Sequence, residues 1–377
     1  MDNEHIHYMA LALDEARKGL GRTSPNPAVG AVIVKDGRVV GRGYHERAGA
    51  PHAEVNALMD AGPRAVGATL YVTLEPCNHT GRTPPCTHAL LSSGITKVVI
   101  GMADPNPRVT GGGAQYLASR GIEVYSGVLD QQCQALNRPF IKHNVTGLPW
   151  VLMKAGLSLD GKITFRPRQG GAITGPEGQR YVHRLRNQVD AILVGVETAI
   201  IDDPRLTTRL EGTAETRDPL RIVLDTALRL PPEARMLHQV SAAETWVICG
   251  EDASRERETR LTGQGARICR VPVDAGGRVS LSAALSLLGG HNITSLLVEG
   301  GARVHGAFYG QRLVDEVSLL YSPFIIGDSG TPLVQGYRLD DGRDHAPVLG
   351  EVSVQLLGKD ILVRALTETP LMIERAP

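Results

Sequence analysis

The stretch Pro51–Cys86, PHAEVNALMDAGPRAVGATLYVTLEPCNHTGRTPPC, sets the architecture of the first half of the chain. His52 to Met59 reads as a helix with Val55, Leu58 and Met59 on its apolar side, and Ala68 to Leu74 as a buried strand. Pro85-Cys86 opens a further helix, so a helix–strand–helix run carries His52, Cys77 and Cys86 to element ends. One imidazole and two thiolates are a ligand set that suits Zn²⁺. Three protein ligands leave a coordination position for water, as catalytic zinc sites do. Zinc brings the pKa of such a water to about 7. Glu54, two residues after His52, is placed to take the proton and return it to a leaving group. The plainer alternative is a closed structural zinc with His79 or His88 as fourth ligand, which leaves Glu54 without a use.

Working outward, Ile6, Met9, Leu13, Ala16 and Leu20 fall at helical spacing and predict an opening helix ending near Gly19 or Gly21. Val29–Val34, the Asp36-Gly37 turn and Arg38–Gly43 predict a hairpin. Downstream, Lys97–Ile100, Ala114–Ser119 and Ile122–Tyr125 continue a strand–helix–strand alternation. That order predicts an α/β layered sandwich with the metal at strand ends. Gly111-Gly112-Gly113 and Asp104-Pro105-Asn106-Pro107 read as turns, since the glycines lack the Lys-Ser/Thr continuation of a phosphate loop. Leu129–Lys142 reads as one helix, and NVTGLP (144–149) as the connection to a second domain. The boundary is set at 145/146.

The second half holds no comparable His/Cys cluster, so its chemistry must come from an organic cofactor or from binding. Thr174-Gly-Pro-Glu177 predicts a capping box at the start of a helix bearing Tyr181, Val182, Leu185 and Val189. Strands are predicted at Trp150–Ala155, Ala191–Val196, Leu220–Asp225, Thr245–Cys249 and Ser295–Val298. The last runs into Glu299-Gly300-Gly301 and a helix, a turn whose bare amides can face a phosphate.

Composition bounds the reading. At 377 residues and 42% hydrophobic content the chain is long enough for two ordinary domains. Its 40 basic and 40 acidic side chains leave no basic excess of the kind that accompanies nucleic-acid or anionic-membrane binding. No apolar run approaches the ~20 residues of a membrane span. The polar start, MDNEHIHYMA, is no secretory signal. With Cys77 and Cys86 given to metal, the scattered Cys133, Cys249 and Cys269 read as buried thiols of a reduced, cytoplasmic protein. A homo-oligomer is the expected state.

His-x-Glu … Pro-Cys is the signature of zinc deaminases that act on nucleobase rings. Eight residues separate Cys77 from Cys86, where two are usual, and PCNHTGRTPPC resembles the pyrimidine deaminase of riboflavin biosynthesis. SLDGKI, ITGPE, DDPRLT and VEGG, in that order, resemble the reductase half of the same bifunctional deaminase/reductase family. The resemblance covers nearly the whole chain. It implies a cytidine-deaminase-like three-layer α/β/α domain over residues 1–145 and a dihydrofolate-reductase-like α/β domain using NADPH over residues 146–377. It implies substrate contacts at Asn26, His45, His79 and Arg82 in the first half. In the second it implies cofactor contacts at Gly156, Thr198, Asp202, Thr226 and the run Gly301, Ala302, Arg303, Val304, His305, Gly306 and Ala307. Substrate contacts there are Lys154, Asp160, Arg186, Leu206, Arg209 and Glu299. Two positions depart from the family pattern: Ala172 stands where tryptophan is frequent, and Glu197 where a small residue is usual. The implied reaction is deamination of a diaminopyrimidinone ribosyl phosphate, then NADPH reduction of its ribosyl group to ribityl. Two alternatives stay open: a zinc deaminase of free or nucleic-acid bases, and a non-catalytic nucleotide-binding module with structural zinc.

Overall fold

The computed structural model describes residues 3–79, 84–105, 112–212, 215–339 and 346–368. By internal contacts the chain divides into two compact units, Met1–Leu148 and Pro149–Pro377.

In the first unit the elements follow as α1 (Asn3–Lys18), β1 (Gly30–Lys35), β2 (Arg38–Tyr44), α2 (Ala53–Ala61), β3 (Thr69–Leu74), α3 (Cys86–Ser92), β4 (Lys97–Met102), α4 (Gly113–Ser119), β5 (Glu123–Ser126), α5 (Asp130–Leu136) and α6 (Arg138–Thr146). They build a five-stranded sheet of order β2-β1-β3-β4-β5. The β1–β2 hairpin turns where expected, through Asp36 (φ 48°) and Gly37 (φ 71°), both left-handed as a primed turn requires. Helices cover both faces. A side chain at Gly30 would strike the backbone of α1 at Ala12 and Ala16, whereas one at Gly43 would strike α2 at Ala53 and Ala57.

That glycine-lined face corrects the expected orientation of α2. Its buried side is Ala53, Ala57 and Ala61 with Glu54, while Met59 is 73% exposed. Gly41 and Gly43 leave no room for large side chains, so a small-residue face docks and the backbones approach closely. The helix expected over Leu129–Lys142 is also two helices, α5 and α6, broken at Asn137. Pro139 cannot continue a helical hydrogen-bond ladder, and the buried Asn137 side chain bonds elsewhere, to Ala28 on both its amide and carbonyl.

The second unit contains β6 (Trp150–Ser158), β7 (Lys162–Thr164), α7 (Pro176–Gln188), β8 (Ala191–Gly195), α8 (Val196–Asp202), β9 (Leu220–Leu224), β10 (Thr245–Gly250), α9 (Arg255–Gly263), β11 (Ala266–Val271), α10 (Leu281–Gly290), β12 (Ser295–Val298), α11 (Ala302–Gly310), β13 (Glu316–Ser322), β14 (Thr331–Pro332), β15 (Leu349–Leu357) and β16 (Asp360–Thr367). The main sheet runs β11-β10-β9-β8-β12-β6-β13-β16-β15. It is parallel from β11 to β13, and then antiparallel through β16 to the edge strand β15. The parallel strands β8 and β12 are buried along their whole length, as strands covered on both faces must be.

The predicted capping box at Thr174 does not form. Gly175 is the N-cap of α7, no side chain caps it, and its amide donates to the buried Asp360 carboxylate at 2.8 Å. A carboxylate from a distant strand thus satisfies the helix end that Thr174 was expected to cap. All five cysteines are free thiols, with Cys133, Cys249 and Cys269 buried. Among the described residues no helix is long and apolar enough to cross a membrane.

Candidate active sites

In the first unit β3 ends at Leu74 and the chain passes through Glu75 and Pro76 to Cys77, beyond the strand's carboxyl end. His52 is the N-cap of α2 and Cys86 the first residue of α3. These starts bring His52 Nδ1 to 3.2 Å from Cys86 Sγ and 3.6 Å from Cys77 Sγ. The three ligand atoms lie within 4.8 Å of one another, and among the described residues they form the cluster able to hold a metal. One nitrogen and two sulfurs at that separation fit a zinc ion. The Cys77 thiol is drawn down, chiefly by the Cys86 side chain, whose own thiol is pushed up in return, and the Cys86 amide also donates to the Cys77 sulfur. An acidic thiol of this kind is already poised as a metal ligand.

Glu54 lies in the first turn of the helix that His52 caps and is 3% exposed. Burial raises its carboxyl above the usual range, the direction a proton carrier near neutral pH needs. His45 is buried beside the ligands, its ring 5.4 Å from that of His52 and edge-on to it. Its Nδ1 donates to the Pro51 carbonyl and its Nε2 accepts from Asn26 Nδ2, each at 3.1 Å, which fixes one neutral tautomer. Burial also lowers its pKa, in agreement with that tautomer. Asn26 and His45 are therefore brought to the site. His79 is exposed, and Arg82 lies outside the described residues, as does half of the Asp104–Pro107 turn.

Three further residues shape this site without any sequence signal for it. Asn137 holds the loop that carries Asn26 by bonds of 2.9 and 3.0 Å to Ala28. Glu75 accepts from the amides of Ala114 and Asp104, tying α4 and the start of the Asp104 turn to the Cys77 segment. Gly113 lies so close to Pro76 O that a Cβ there would come within 1.9 Å of it, so this glycine serves packing against the metal loop.

In the second unit a cavity of about 1120 Å³ opens at the carboxyl ends of the parallel strands, where α/β sheets bind ligands. It gathers Lys154, Arg186, Arg209 and Glu299 with Gly156, Thr198, Asp202 and Thr226. Arg186 grips Glu299 through two bonds of 2.9 and 2.8 Å, and Lys154 Nζ stands 3.9 Å from the same carboxylate. Burial alone would raise the Glu299 carboxyl, but Arg186 and Lys154 outweigh it and hold it down to about 2. Burial also lowers the Lys154 ammonium below its usual range. His183, which the sequence did not single out, accepts from the Arg209 amide at 3.2 Å. Its pKa is lowered to about 4 by burial, with Arg186 and Arg209 adding to the effect.

The β12–α11 turn fits a dinucleotide diphosphate. Gly301 has φ 71°, a Cβ on it would press on Thr198 Oγ1 at 2.8 Å, and one on Gly300 would reach Val194 Cα at 2.7 Å. The start of a nine-residue helix lines the cavity, and a helix N-terminus suits an anion. Ala302, Arg303, Val304, His305 and Ala307 line the same wall, whereas Gly306 packs against Gln335 of the neighbouring segment. Two expected substrate residues stand apart from this cluster. The Asp160 carboxylate accepts from the amides of Ile326 and Gly327, closing a turn. The Leu206 side chain is in the core, with φ 53°, so only its backbone is available to a ligand.

A zinc-deaminase centre on one unit and a dinucleotide cavity on the other define a bifunctional enzyme, a zinc-dependent deaminase joined to an NADPH-dependent reductase. Residues 2–102 match the cytidine and deoxycytidylate deaminase zinc-binding region, and residues 149–363 match the RibD C-terminal domain. The chain is 40% identical to the riboflavin biosynthesis protein RibD of Escherichia coli (strain K12), over 94% of this chain and 97% of that one. It is 42% identical to RibD of Aquifex aeolicus (strain VF5), over 95% and 97%. The Acinetobacter baumannii RibD structure superposes with a TM-score of 0.85 at 34% identity, covering 97% of this chain and 99% of that one. A Thermotoga maritima structure described as a diaminohydroxyphosphoribosylaminopyrimidine deaminase/5-amino-6-(5-phosphoribosylamino)uracil reductase gives 0.84 at 36% identity, with 97% and 99% covered. The chain belongs to the RibD family of riboflavin biosynthesis, and its two α/β units are the deaminase and the reductase of that family.

Proposed function

We propose that residues 1–145 deaminate 2,5-diamino-6-ribosylamino-4(3H)-pyrimidinone 5′-phosphate and that residues 146–377 reduce the ribosyl group of the product. The observation that carries the first half is the convergence of His52, Cys77 and Cys86 with the buried Glu54, two residues after His52 in the first turn of α2. Zinc held by this trio supplies Lewis acidity toward a water. Glu54 accepts the proton of the attacking water as the new C–O bond forms on the amino-bearing ring carbon. It then delivers a proton to the amine, which leaves as ammonia when the C–N bond breaks. Asn26 and His45, locked to one another, offer a fixed polar edge to the pyrimidine, and His79 and Arg82 complete the contacts.

In the second half bound NADPH would supply a hydride to C1′ of the ribosyl group, the C1′–O4′ bond breaking and the ring oxygen taking a proton to give ribityl. Lys154, Arg186 and Arg209 bind and orient the sugar phosphate, with Glu299 holding the first two in place. Leu206 contributes through its backbone and Asp160 by shaping the turn after β6. Gly156, Thr198, Asp202, Thr226 and the Gly301–Ala307 run hold the dinucleotide. A homo-oligomer is supported by β15, an edge strand whose Val352, Val354 and Leu356 are 58, 66 and 70% exposed along alternate positions. A strand that ends the sheet among the described residues and shows an exposed apolar face is suited to self-complementary pairing about a two-fold axis. Free cysteines fit a reducing, cytoplasmic setting.

NADPH oxidation followed with the diaminopyrimidine and, separately, with its deaminated product tests this assignment. A zinc chelator should stop oxidation from the first compound and spare it from the second. Oxidation from neither compound would remove the reductase half of the proposal.

A further inference from the structure

The strand order of the second unit orients a bound dinucleotide. The diphosphate cradle at Gly300–Gly301 follows β12, which lies between β8 and β6 in the sheet. Lys154 of β6, with Glu299 and Arg186, forms the side assigned to the sugar phosphate. Hydride transfer requires contact, so the nicotinamide lies on the β6 side. The adenosine half then runs the opposite way, over the ends of β8 and β9. Several charged residues line the cavity there, among them Arg278, whose neighbour Val279 donates its amide to Thr226 Oγ1, and two whose side chains meet, Glu197, the second residue of α8, and Arg229, beyond the end of β9. They are paired, Arg229 Nη1 to Glu197 Oε1 at 2.7 Å, with their side chains 47 and 46% exposed.

We propose that this pair sets the discrimination between NADPH and NADH, with Arg229 as the cation for the 2′-phosphate and Glu197 as the counter-charge the phosphate must displace. A guanidinium fork matches a phosphate face. A carboxylate at the same place favours a 2′-hydroxyl, as acidic residues do in NAD sites. Glu197 therefore lowers the affinity for the phosphorylated cofactor, and the wild-type preference is a balance between the two side chains. This inference rests on the assignment of the cavity to the reductase cofactor.

Isothermal titration calorimetry of the zinc-loaded full chain with NADPH and with NADH tests it on the wild type, Glu197→Gln, Arg229→Gln and Arg278→Gln. Glu197→Gln should tighten NADPH about fivefold, the size of a half-exposed charge contact, and Arg229→Gln should weaken it by about as much. NADH affinity should stay unchanged in Arg229→Gln and fall slightly in Glu197→Gln, which loses the carboxylate that favours a 2′-hydroxyl, and NADH binding that persists with an unchanged melting temperature shows that the variants are folded. No NADPH binding by the wild type removes the reductase assignment itself. NADPH binding that both Glu197→Gln and Arg229→Gln leave within twofold of wild type overturns the present inference. So does a loss of affinity seen in Arg278→Gln but not in Arg229→Gln.

Discussion

Arg186 and Glu299 meet across the second unit's cavity as a bidentate pair, Nε to Oε1 at 2.9 Å and Nη2 to Oε2 at 2.8 Å, with side chains only 12 and 9% exposed. Two charges taken out of water in this way depend on each other. Removing Arg186 leaves the buried Glu299 with the more distant Lys154, 3.9 Å away, and without its two hydrogen bonds, at a cost of roughly 3 kcal/mol. Arg186→Met should lower the unfolding free energy of the second unit by about that amount and cut reduction at least tenfold, with ammonia release unchanged. Arg186→Lys should recover stability in part but not the fork. Denaturant unfolding and the two activities, measured on each variant, check this; an Arg186→Met protein as stable as wild type would show that the pair is no anchor.

For the first unit, Glu54→Gln keeps the shape and the metal ligands but cannot carry a proton. Ammonia release should fall by at least 10², while metal analysis still finds one zinc per chain. Cys77→Ser should lose the zinc as well. Loss of zinc from Glu54→Gln would show that the carboxylate supports the metal rather than the proton transfer.

The close approach of α2 to β2 carries His52 to the metal. At Gly43 an added Cβ would come within 2.3 Å of Ala57 N and 2.4 Å of Ala53 O, both backbone atoms that cannot give way separately. Gly43→Ala should therefore destabilise the unit by about 1–3 kcal/mol and loosen zinc by moving the N-terminus of α2. Competition with a chromogenic chelator reads the zinc affinity; unchanged retention in a destabilised variant would separate packing from the site.

His305, with His183, sets a pH dependence for the second unit. His305 is 2% exposed, and burial lowers its pKa to about 4 from an ordinary 6.5, outweighing the backbone of Leu333 and Val298 that acts the other way. The unfolded chain takes up a proton below pH 6.5 that the folded one refuses until about pH 4. Stability should accordingly fall as the pH drops through that window, by up to about 3 kcal/mol, and level off below it. Glu299, held down to about 2, adds its own loss only at more acidic pH. His305→Leu should flatten the slope of melting temperature between pH 7 and 4.5 relative to wild type; parallel slopes would rule the residue out as its source.

Much of this architecture is local and legible. The hairpin at Asp36-Gly37 follows from left-handed turn residues between two apolar runs, and α1, β3, β8 and β12 from periodicity alone. The ligand set His52, Cys77 and Cys86 is readable because zinc chemistry restricts residue types and because each ligand sits at an element end. Other features were out of reach of any window of sequence. The α2 face was misassigned because periodicity shows which residues are apolar, but only the glycines of β2 decide that small ones dock. The break at Asn137 and the unformed cap at Thr174 arise from partners more than a hundred residues away, Ala28 and Asp360. The antiparallel pair β15 and β16 and the strand β13 carried no signal in the reading at all.

The sequence by itself determined the chemistry available to this protein: a nitrogen–sulfur zinc set with a carboxylate beside it, and a glycine turn fit for a dinucleotide. The tertiary structure alone decided which charges meet. Lys154, Arg186 and Glu299 come from three separate elements, as do Asn26, His45 and Asn137, and Glu197 and Arg229 flank different strands. Ion pairs and buried hydrogen bonds act over a few ångströms in space, whatever the distance along the chain, so they exist only once the sheet order has set which strand ends are neighbours.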